Sequence, residues 1–468
     1  MSEHTCTMLL AGRQATIDGS TIVCREEDYG NEFDPQRFVL VHPADQPDHY
    51  ESKGSRFKTD LPKARYAYTA TPDADDSAGI FAAGGINTAN VAMSATETIT
   101  SNARIRAVDP YNVVDGIGEE DFLTLVLPYI SSAREGVERL GRLLAKYGTY
   151  EANAVAFGDH EEVWYMETIG GHHWAAVRVP DDAYVIAPNR FNIADFDFNS
   201  PTTMCSPDLK QLIDDYHLNP GRTGYNFRLI FGSASNQDQV YNNPRAWYVQ
   251  SRLGGGRSGS RPTDYDLPFA CVPTNKLTVE VVKQVMSSHY QDTTFDPYQQ
   301  KTGQRAPFRS IALNRNLELH VLQIRNGVAK AIAGVHWLAF GPNTFNALVP
   351  FYANVTDTPA AYRDTSTQYT PTNMYWLVHT VTALGDRYYR QSQPLAEQCS
   401  EDIMAITRHC QLVTDRQGQV TPADLTAAND QMATVAVNRL TKLLGQLVGM
   451  TFKNPVCKIK LEKQKSHL

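Results

Sequence analysis

Segments with strand-like patterns dominate the first three quarters of the chain, and helical patterns dominate the last hundred residues. Residues 154–187 read as three or four successive short strands joined by turns. Three helices are predicted over roughly 371–391, 396–412 and 422–449. This order indicates an α+β protein in which stacked sheets pack against helical layers.

The N-terminus predicts a hairpin. Residues 6–11 have the pattern of a buried strand, and a second strand returns over 21–25 after a turn signal at Asp18-Gly19. If residues 12–19 form the connection, antiparallel pairing places position 25 opposite position 6.

Three other segments give local predictions. Residues 79–100 are small or β-branched and almost uncharged, which predicts buried strands that pass close to another backbone. Residues 131–147 predict an amphipathic helix, capped by Ser131 or Ser132 and ended by Gly148. Residues 310–313 predict a short strand.

Composition restricts the class of partner. The 468 residues are 42% hydrophobic and 20% charged, as in ordinary globular proteins, and the net charge of −8 argues against a nucleic-acid or anionic-membrane partner. The apolar run 8–11 is shorter than the 7–15 or so apolar residues of a signal peptide, and no stretch approaches the roughly 20 residues of a membrane span. We therefore expect a cytoplasmic protein that has neither a nucleic-acid nor a membrane partner.

No metal or cofactor is predicted. The seven cysteines are scattered without a C-x-x-C motif, which speaks against a disulfide framework or structural zinc. His172 and His173 would point to opposite faces of a strand and could not bind one ion together. The glycine-rich loop 254–260 lacks the Lys-Ser/Thr pair of a phosphate-binding loop, and there is no G-x-S-x-G motif.

Several motifs resemble one family of enzymes. They are Met1–Thr7, Ala15–Ser20, Arg25–Asp28, Gly85–Asn87, Val91–Thr98, Gly171–Trp174, Ala187–Asn189, Tyr241–Trp247, Trp337–Ala339 and Pro350–Tyr352. Together they resemble the dipeptidases of peptidase family C69, a group of N-terminal nucleophile (Ntn) hydrolases. The resemblance implies a four-layer αββα sandwich with two antiparallel sheets between helical layers. It also implies thiol-dependent hydrolysis of dipeptides through an acyl-enzyme.

The resemblance makes Cys6 the nucleophile. Residues 1–5 would be a leader removed by self-cleavage, residues 6–450 a single catalytic domain with insertions, and residues 451–468 a basic tail. The α-amine of Cys6, with an unperturbed pKa of about 7.7–8.0, could then act as the base for its own thiol.

Arg25 and Asp28 are predicted to serve that nucleophile. Arg25 would favour the thiolate, and Asp28 would orient the α-amine. Glu26 lies between them and should point to the opposite face from Arg25. Without the resemblance, Arg25 and Asp28 read as an exposed ion pair at the end of a strand.

Asn189 and Arg245 complete the predicted catalytic set. Asn189 would donate a hydrogen bond to the oxyanion, together with a backbone N–H from the Ala95–Thr98 strand. Arg245 matches the second arginine of the family, with Arg252 as a competitor. The alternatives are a turn residue after Pro188 for Asn189 and a surface ion pair for Arg245.

Thr96 and Glu97 are predicted to bind the substrate. Glu97 lies in an otherwise uncharged segment and is a candidate for the substrate ammonium group. Its alternative is a structural acid paired with an arginine.

The predicted function is therefore hydrolysis of small dipeptide substrates. Two alternatives stay open at this point: an amidase or acylase that acts on N-acyl amino acids or related amides with the same site, and a secernin-like protein without catalysis. A homo-oligomer is also left open, since relatives assemble but the sequence shows no interface signal.

Overall fold

The computed structural model describes residues 6–28, 34–300 and 304–453, except for the side chains of Thr96, Glu97 and Lys453. The predicted leader 1–5 and the tail beyond residue 453 lie outside these residues. The strands are β1 Thr7–Ala11, β2 Thr21–Asp28, β3 Val39–Val41, β4 His49–Glu51, β5 Lys58–Asp60, β6 Tyr68–Ala70, β7 Gly84–Ile86, β8 Ala92–Thr98, β9 Asn153–Gly158, β10 Val163–Ile169, β11 His173–Arg178, β12 Tyr184–Pro188, β13 Thr203–Cys205, β14 Ala270–Cys271, β15 Asn316–Ile324, β16 Gly334–Phe340 and β17 Val349–Tyr352.

The helices are α1 Ala103–Val108, α2 Glu119–Val126, α3 Ala133–Tyr147, α4 Leu209–Asp215, α5 Phe227–Phe231, α6 Asn243–Leu253, α7 Val279–Met286, α8 Lys330–Ala333, α9 Ala360–Arg363, α10 Met374–Arg387, α11 Tyr389–Asp415 and α12 Pro422–Lys453. The α+β class predicted from the sequence is confirmed. Within the described ranges, none of these helices is both long and apolar enough to cross a membrane.

Two antiparallel sheets form the centre of the described part of the chain. The first has the strand order β14-β12-β1-β2-β15-β16-β17, and the second has the order β13-β11-β10-β9-β8-β7. β1 therefore lies between β2 and β12, which places the start of β1 beside the end of both neighbours.

Hydrophobic clusters lie on both faces of each sheet. One cluster joins the two sheets and contains Met8, Leu10 and Val23 from the first sheet with Ala154 and Ala156 from the second. A second cluster packs the other face of the first sheet against α6, α7 and α10 to α12. A third packs the second sheet against α2 and α3.

The predicted register of the N-terminal hairpin was wrong by two residues. Met8, not Cys6, pairs with Arg25, and Thr7 pairs with Glu26. The connection is longer than expected because Ser20 is held by the side chain of Asp18 before β2 begins at Thr21. Since side chains alternate with a period of two, this shift leaves Arg25 on the same face of the sheet as Cys6.

Two local predictions from the sequence are confirmed. Helix α3 begins after Ser132, whose side chain accepts a hydrogen bond from the N–H of Glu135, and it ends at Gly148 with φ of 72°. Gly85 in β7 approaches the carbonyl oxygen of Thr69 so closely that a Cβ atom would clash with it.

Two other predictions were wrong. Residues 310–313 form no strand and lie in an irregular segment instead. The N–H of Ala312 donates a 2.8 Å hydrogen bond to the carbonyl oxygen of Ser288, which is not part of a strand. His172 and His173 do not point apart, since both imidazoles contact the carboxylate of Asp109, at 3.1 and 2.7 Å. β11 begins only at His173, so the alternation of a strand does not apply to His172.

Candidate active site

Cys6 lies immediately before β1 and is fully buried. Thr7, the next residue, pairs with Glu26 of β2 on one side and with Pro188 of β12 on the other. The ends of three adjacent strands therefore meet around the Cys6 side chain, and they bring Arg25 and Asn189 to it from opposite sides.

The sulfur of Cys6 is in contact with a cation. Nη1 of Arg25 donates a hydrogen bond to Sγ of Cys6 over 3.3 Å, and both side chains are fully buried. A buried guanidinium beside a sulfur stabilises the thiolate, which is the nucleophilic form of cysteine. The structure therefore brings the predicted pair together despite the altered register.

Two carboxylates hold Arg25 in place. Nη2 of Arg25 lies 3.3 Å from Oε1 of Glu27, and Nη1 lies 3.7 Å from Oε1 of Glu119 in the first turn of α2. Burial on its own would lower the pKa of Arg25, but the negative charges of Cys6 and the two carboxylates outweigh burial and raise it. Arg25 is therefore a permanent cation at this position.

Arg245 connects the backbone of Cys6 to Asn189. Its Nη1 donates to the carbonyl oxygen of Cys6 at 2.5 Å and to Oγ1 of Thr7 at 2.7 Å. Its Nη2 donates to Oδ1 of Asn189 at 2.7 Å. Arg252, two turns further along α6, instead pairs with Asp292 at 3.2 Å in a half-exposed position, so the structure brings Arg245 and not Arg252 to Cys6.

Asn189 follows the last residue of β12 and is 8% exposed. Its side-chain oxygen accepts from Arg245, and its Nδ2 donates to the carbonyl oxygen of Thr98 at 3.0 Å. Because an arginine can only donate, the amide must present its nitrogen toward β8. Asn189 thus joins the end of β12 to the end of β8.

Asp28 lies on the other face of β2 from Arg25 and is fully buried. Its carboxylate contacts Nη2 of Arg309, and its Oδ1 lies 3.7 Å from Nε of Arg315. Glu26, on the same face, accepts a hydrogen bond from Nδ2 of Asn316. Glu26 thus points away from Arg25, as predicted.

Arg309 and Arg315 are site residues that the sequence reasoning missed. Arg309 is buried, which lowers its pKa to about 10, although the charges of Glu26 and Cys6 act in the opposite direction. Its guanidinium lies 5.2 Å from the ring centre of Tyr241, a residue of the motif 241–247. No spacing pattern distinguishes Arg309 in the sequence, because a loop rather than a strand or helix carries it.

The predicted substrate residues Thr96 and Glu97 lie in β8, but their side chains lie outside the described residues. The backbone shows an irregularity there, since the register between β8 and β9 shifts between Ala95 and Glu97. The position of β8 beside Asn189 places this strand at the site.

Known proteins are similar to this chain along most of its length. Residues 5–402 match the family model described as peptidase family C69. The chain is 53% identical to the probable dipeptidase B of Lactococcus lactis over 453 residues, which are 95% of both chains. It is 48% identical to dipeptidase A of Lactobacillus helveticus over 96% of this chain and 97% of the relative, and 45% identical to a dipeptidase of Bifidobacterium longum over 92% and 86%.

These matches define the class of protein as a peptidase, and thus a hydrolase. More particularly, the chain belongs to peptidase family C69. The resemblance drawn from the sequence motifs is therefore confirmed.

Proposed function

We propose that this chain is a cysteine-type dipeptidase in which Cys6 is the nucleophile and becomes the N-terminal residue once residues 1–5 are removed. The observation that carries the proposal is the buried 3.3 Å contact between Arg25 and the sulfur of Cys6. Relatives named dipeptidases that match nearly the whole chain support dipeptides as the class of substrate.

The layered packing supports an Ntn-hydrolase sandwich. One hydrophobic cluster lies between the second sheet and helices α2 and α3, a second lies between the two sheets, and a third lies between the first sheet and the helices on its other face. A four-layer αββα arrangement requires these three interfaces. Residues 6–450 would form one catalytic domain of this kind.

Maturation would use the same sulfur. In the full chain the α-nitrogen of Cys6 is the peptide nitrogen joined to Thr5. Attack of the Cys6 thiol on the carbonyl carbon of Thr5 moves the acyl group from nitrogen to sulfur, and water then hydrolyses the thioester. This releases residues 1–5 and leaves Cys6 with a free thiol and a free amine.

Dipeptide hydrolysis would follow in two steps. The α-amine takes the proton of the Cys6 thiol, the thiolate attacks the scissile carbonyl, and the protonated amine then gives the proton to the leaving amino acid. The resulting thioester is then attacked by water, which is deprotonated by the same amine, and the first amino acid leaves as the thiol re-forms.

The contacts of Asn189 support its role at the oxyanion. One hydrogen of its Nδ2 is donated to Thr98, and the side-chain amide has a second hydrogen to donate. Thr98 ends β8, the strand expected to supply the second donor from its backbone. Both donors would thus lie on neighbouring strand ends, and Arg245 would position Asn189 relative to Cys6.

The remaining predictions are carried forward as part of the proposal. Asp28, held by Arg309 and Arg315, would orient the α-amine of Cys6, and Thr96 and Glu97 would contact substrate. A cytoplasmic location and a homo-oligomer stay predictions.

The test compares alanyl-alanine with N-acetyl-alanyl-alanine as substrates for the wild-type enzyme and for Cys6→Ala. We expect hydrolysis of the unblocked dipeptide by the wild type alone. Preference for the blocked compound would support an amidase or acylase, and absence of hydrolysis together with an intact leader would support a protein without catalysis.

A further inference from the structure

Three acidic side chains lie near one another on the Glu27 side of Arg25. They are Glu27, Asp34 and Asp73, which we call the acidic cluster. Glu27 contacts Arg25 directly at 3.3 Å. Burial, followed by the charge of Glu27, raises the pKa of Asp34 to about 6, and burial with the charges of Asp34 and Glu27 raises the pKa of Asp73. The negative charge of Glu27 therefore acts on both Asp34 and Asp73.

The acidic cluster extends from the protein surface to the site. Asp34 is half-buried, Asp73 is 5% exposed and Glu27 is 1% exposed. A cation that approaches these side chains favours their ionised forms, and its attraction to them strengthens as the water around it is lost.

Gln36 adds a hydrogen-bond acceptor to the cluster. Its side chain is fully buried, and its Nε2 donates to Oε2 of Glu27 over 2.9 Å. Since a carboxylate only accepts, this contact fixes the orientation of the amide. Its Oε1 then has no partner among the described residues, although leaving such a buried group unsatisfied costs about 1–3 kcal/mol. The oxygen suits a ligand that only donates hydrogen bonds, such as an ammonium group.

The distance from Cys6 fits the first residue of a dipeptide. The α-nitrogen of a peptide lies about 2.5 Å from its own carbonyl carbon. The carbonyl carbon must approach Sγ to about 3–3.5 Å, and an ammonium group binds a carboxylate at about 2.7–2.9 Å. The distance from the Glu27 carboxylate to Sγ of Cys6 is similar, because the guanidinium of Arg25 lies between them and contacts each at 3.3 Å.

We propose that Glu27 and the side-chain oxygen of Gln36 bind the free α-ammonium group of the substrate, and that Asp34 and Asp73 guide it in from the surface. This inference rests on the proposed function and deepens it. An ammonium group held beside Glu27 puts the first peptide bond, and no later one, at the sulfur of Cys6. The acidic cluster would therefore select substrates with an unblocked first residue, a role that the sequence assigned to Glu97.

The experiment compares alanyl-alanine with propionyl-alanine, which has the same skeleton without the amino group. KM is measured for alanyl-alanine and the inhibition constant for propionyl-alanine, in the wild type and in the variants Glu27→Gln and Gln36→Leu. Glu26→Gln is the matched control, because it removes the same charge one residue away on the other face of β2. Gln36→Leu leaves every contact of Arg25 in place.

We expect both cluster variants to raise KM for alanyl-alanine by about 10- to 100-fold, as loss of a charge-assisted hydrogen bond implies, and to leave the inhibition constant of propionyl-alanine unchanged. Glu26→Gln should change neither constant by a comparable factor. Parallel changes in both constants, or no change in either, would overturn the assignment. Failure of the wild type to hydrolyse alanyl-alanine would instead reject the proposed function itself, and the assignment with it.

Discussion

Arg25 reaches the sulfur of Cys6 diagonally across two strands. Its direct partner on β1 is Met8, yet its Nη1 lies 3.3 Å from Sγ. Diagonal neighbours in an antiparallel pair are about 7–8 Å apart, a distance that only a long side chain can span. Both the charge and the length of arginine are therefore needed at this position.

Replacing Arg25 by Met should lower kcat/KM for alanyl-alanine by at least about a hundredfold, because the buried thiolate loses its cation. Alkylation of Cys6 by iodoacetamide, followed against pH, should reach its half-maximal rate at a higher pH than in the wild type. Arg25→Lys keeps the charge and should recover part of the loss. An unchanged alkylation profile in Arg25→Met would contradict this role.

Replacing Asn189 by Ala should lower kcat by about 10²- to 10³-fold with a small change in KM, as expected for loss of one oxyanion donor. Steady-state kinetics with alanyl-alanine measure both constants, and thermal unfolding checks that the variant folds. If KM rises and kcat stays constant, Asn189 binds substrate and does not stabilise the oxyanion.

The buried pair of Asp28 and Arg309 should matter for stability as well as for activity. Arg309→Gln leaves the Asp28 carboxylate without its contact to Nη2 and should destabilise the fold by about 3–5 kcal/mol in urea unfolding. The control Arg252→Gln removes a half-exposed ion pair and should cost about 1 kcal/mol or less. Equal losses of unfolding free energy in the two variants would contradict the larger contribution expected from the buried pair of Asp28 and Arg309.

Glu167 gives a prediction on pH. It is fully buried, and burial raises its pKa to about 7 although the backbone N–H groups of Asn192 and Ile193 donate to it. A raised pKa means that the folded state holds the proton more tightly, so this contribution to stability is present below about pH 4 and is lost as the pH rises through 7.

Glu167→Gln, which cannot ionise, should therefore be more stable than the wild type by about 3–4 kcal/mol at pH 8 and by only about 1 kcal/mol at pH 5. Urea unfolding at the two pH values measures this difference. A variant that is less stable than the wild type at pH 8 would contradict the sign of the effect.

The sequence predicted those features that depend on local patterns. Helix α3 follows from its cap at Ser132, its apolar face and Gly148. The close approach of Gly85 to Thr69 follows from the run of small residues in 79–100. The motifs around Cys6, Arg25 and Asn189 indicated the family because they lie in short segments with a fixed spacing.

Features that depend on tertiary contacts could not be predicted in this way. The register of β1 and β2 depends on how residues 12–20 fold, and Asp18 and Ser20 lengthen that connection. Arg309 reaches Asp28 from a loop distant in sequence, where no periodicity marks it. Gln36 lies only nine residues from Glu27, but no motif or periodicity predicts the contact between their side chains.

The most direct test of the proposed mechanism is the intact mass of the purified protein. We predict that the wild-type chain has lost residues 1–5 and begins at Cys6, and that Cys6→Ala retains the leader and does not hydrolyse alanyl-alanine. A wild-type protein that is fully active with Met1 or Ser2 as its first residue would contradict the proposal that the amine of Cys6 is the catalytic base.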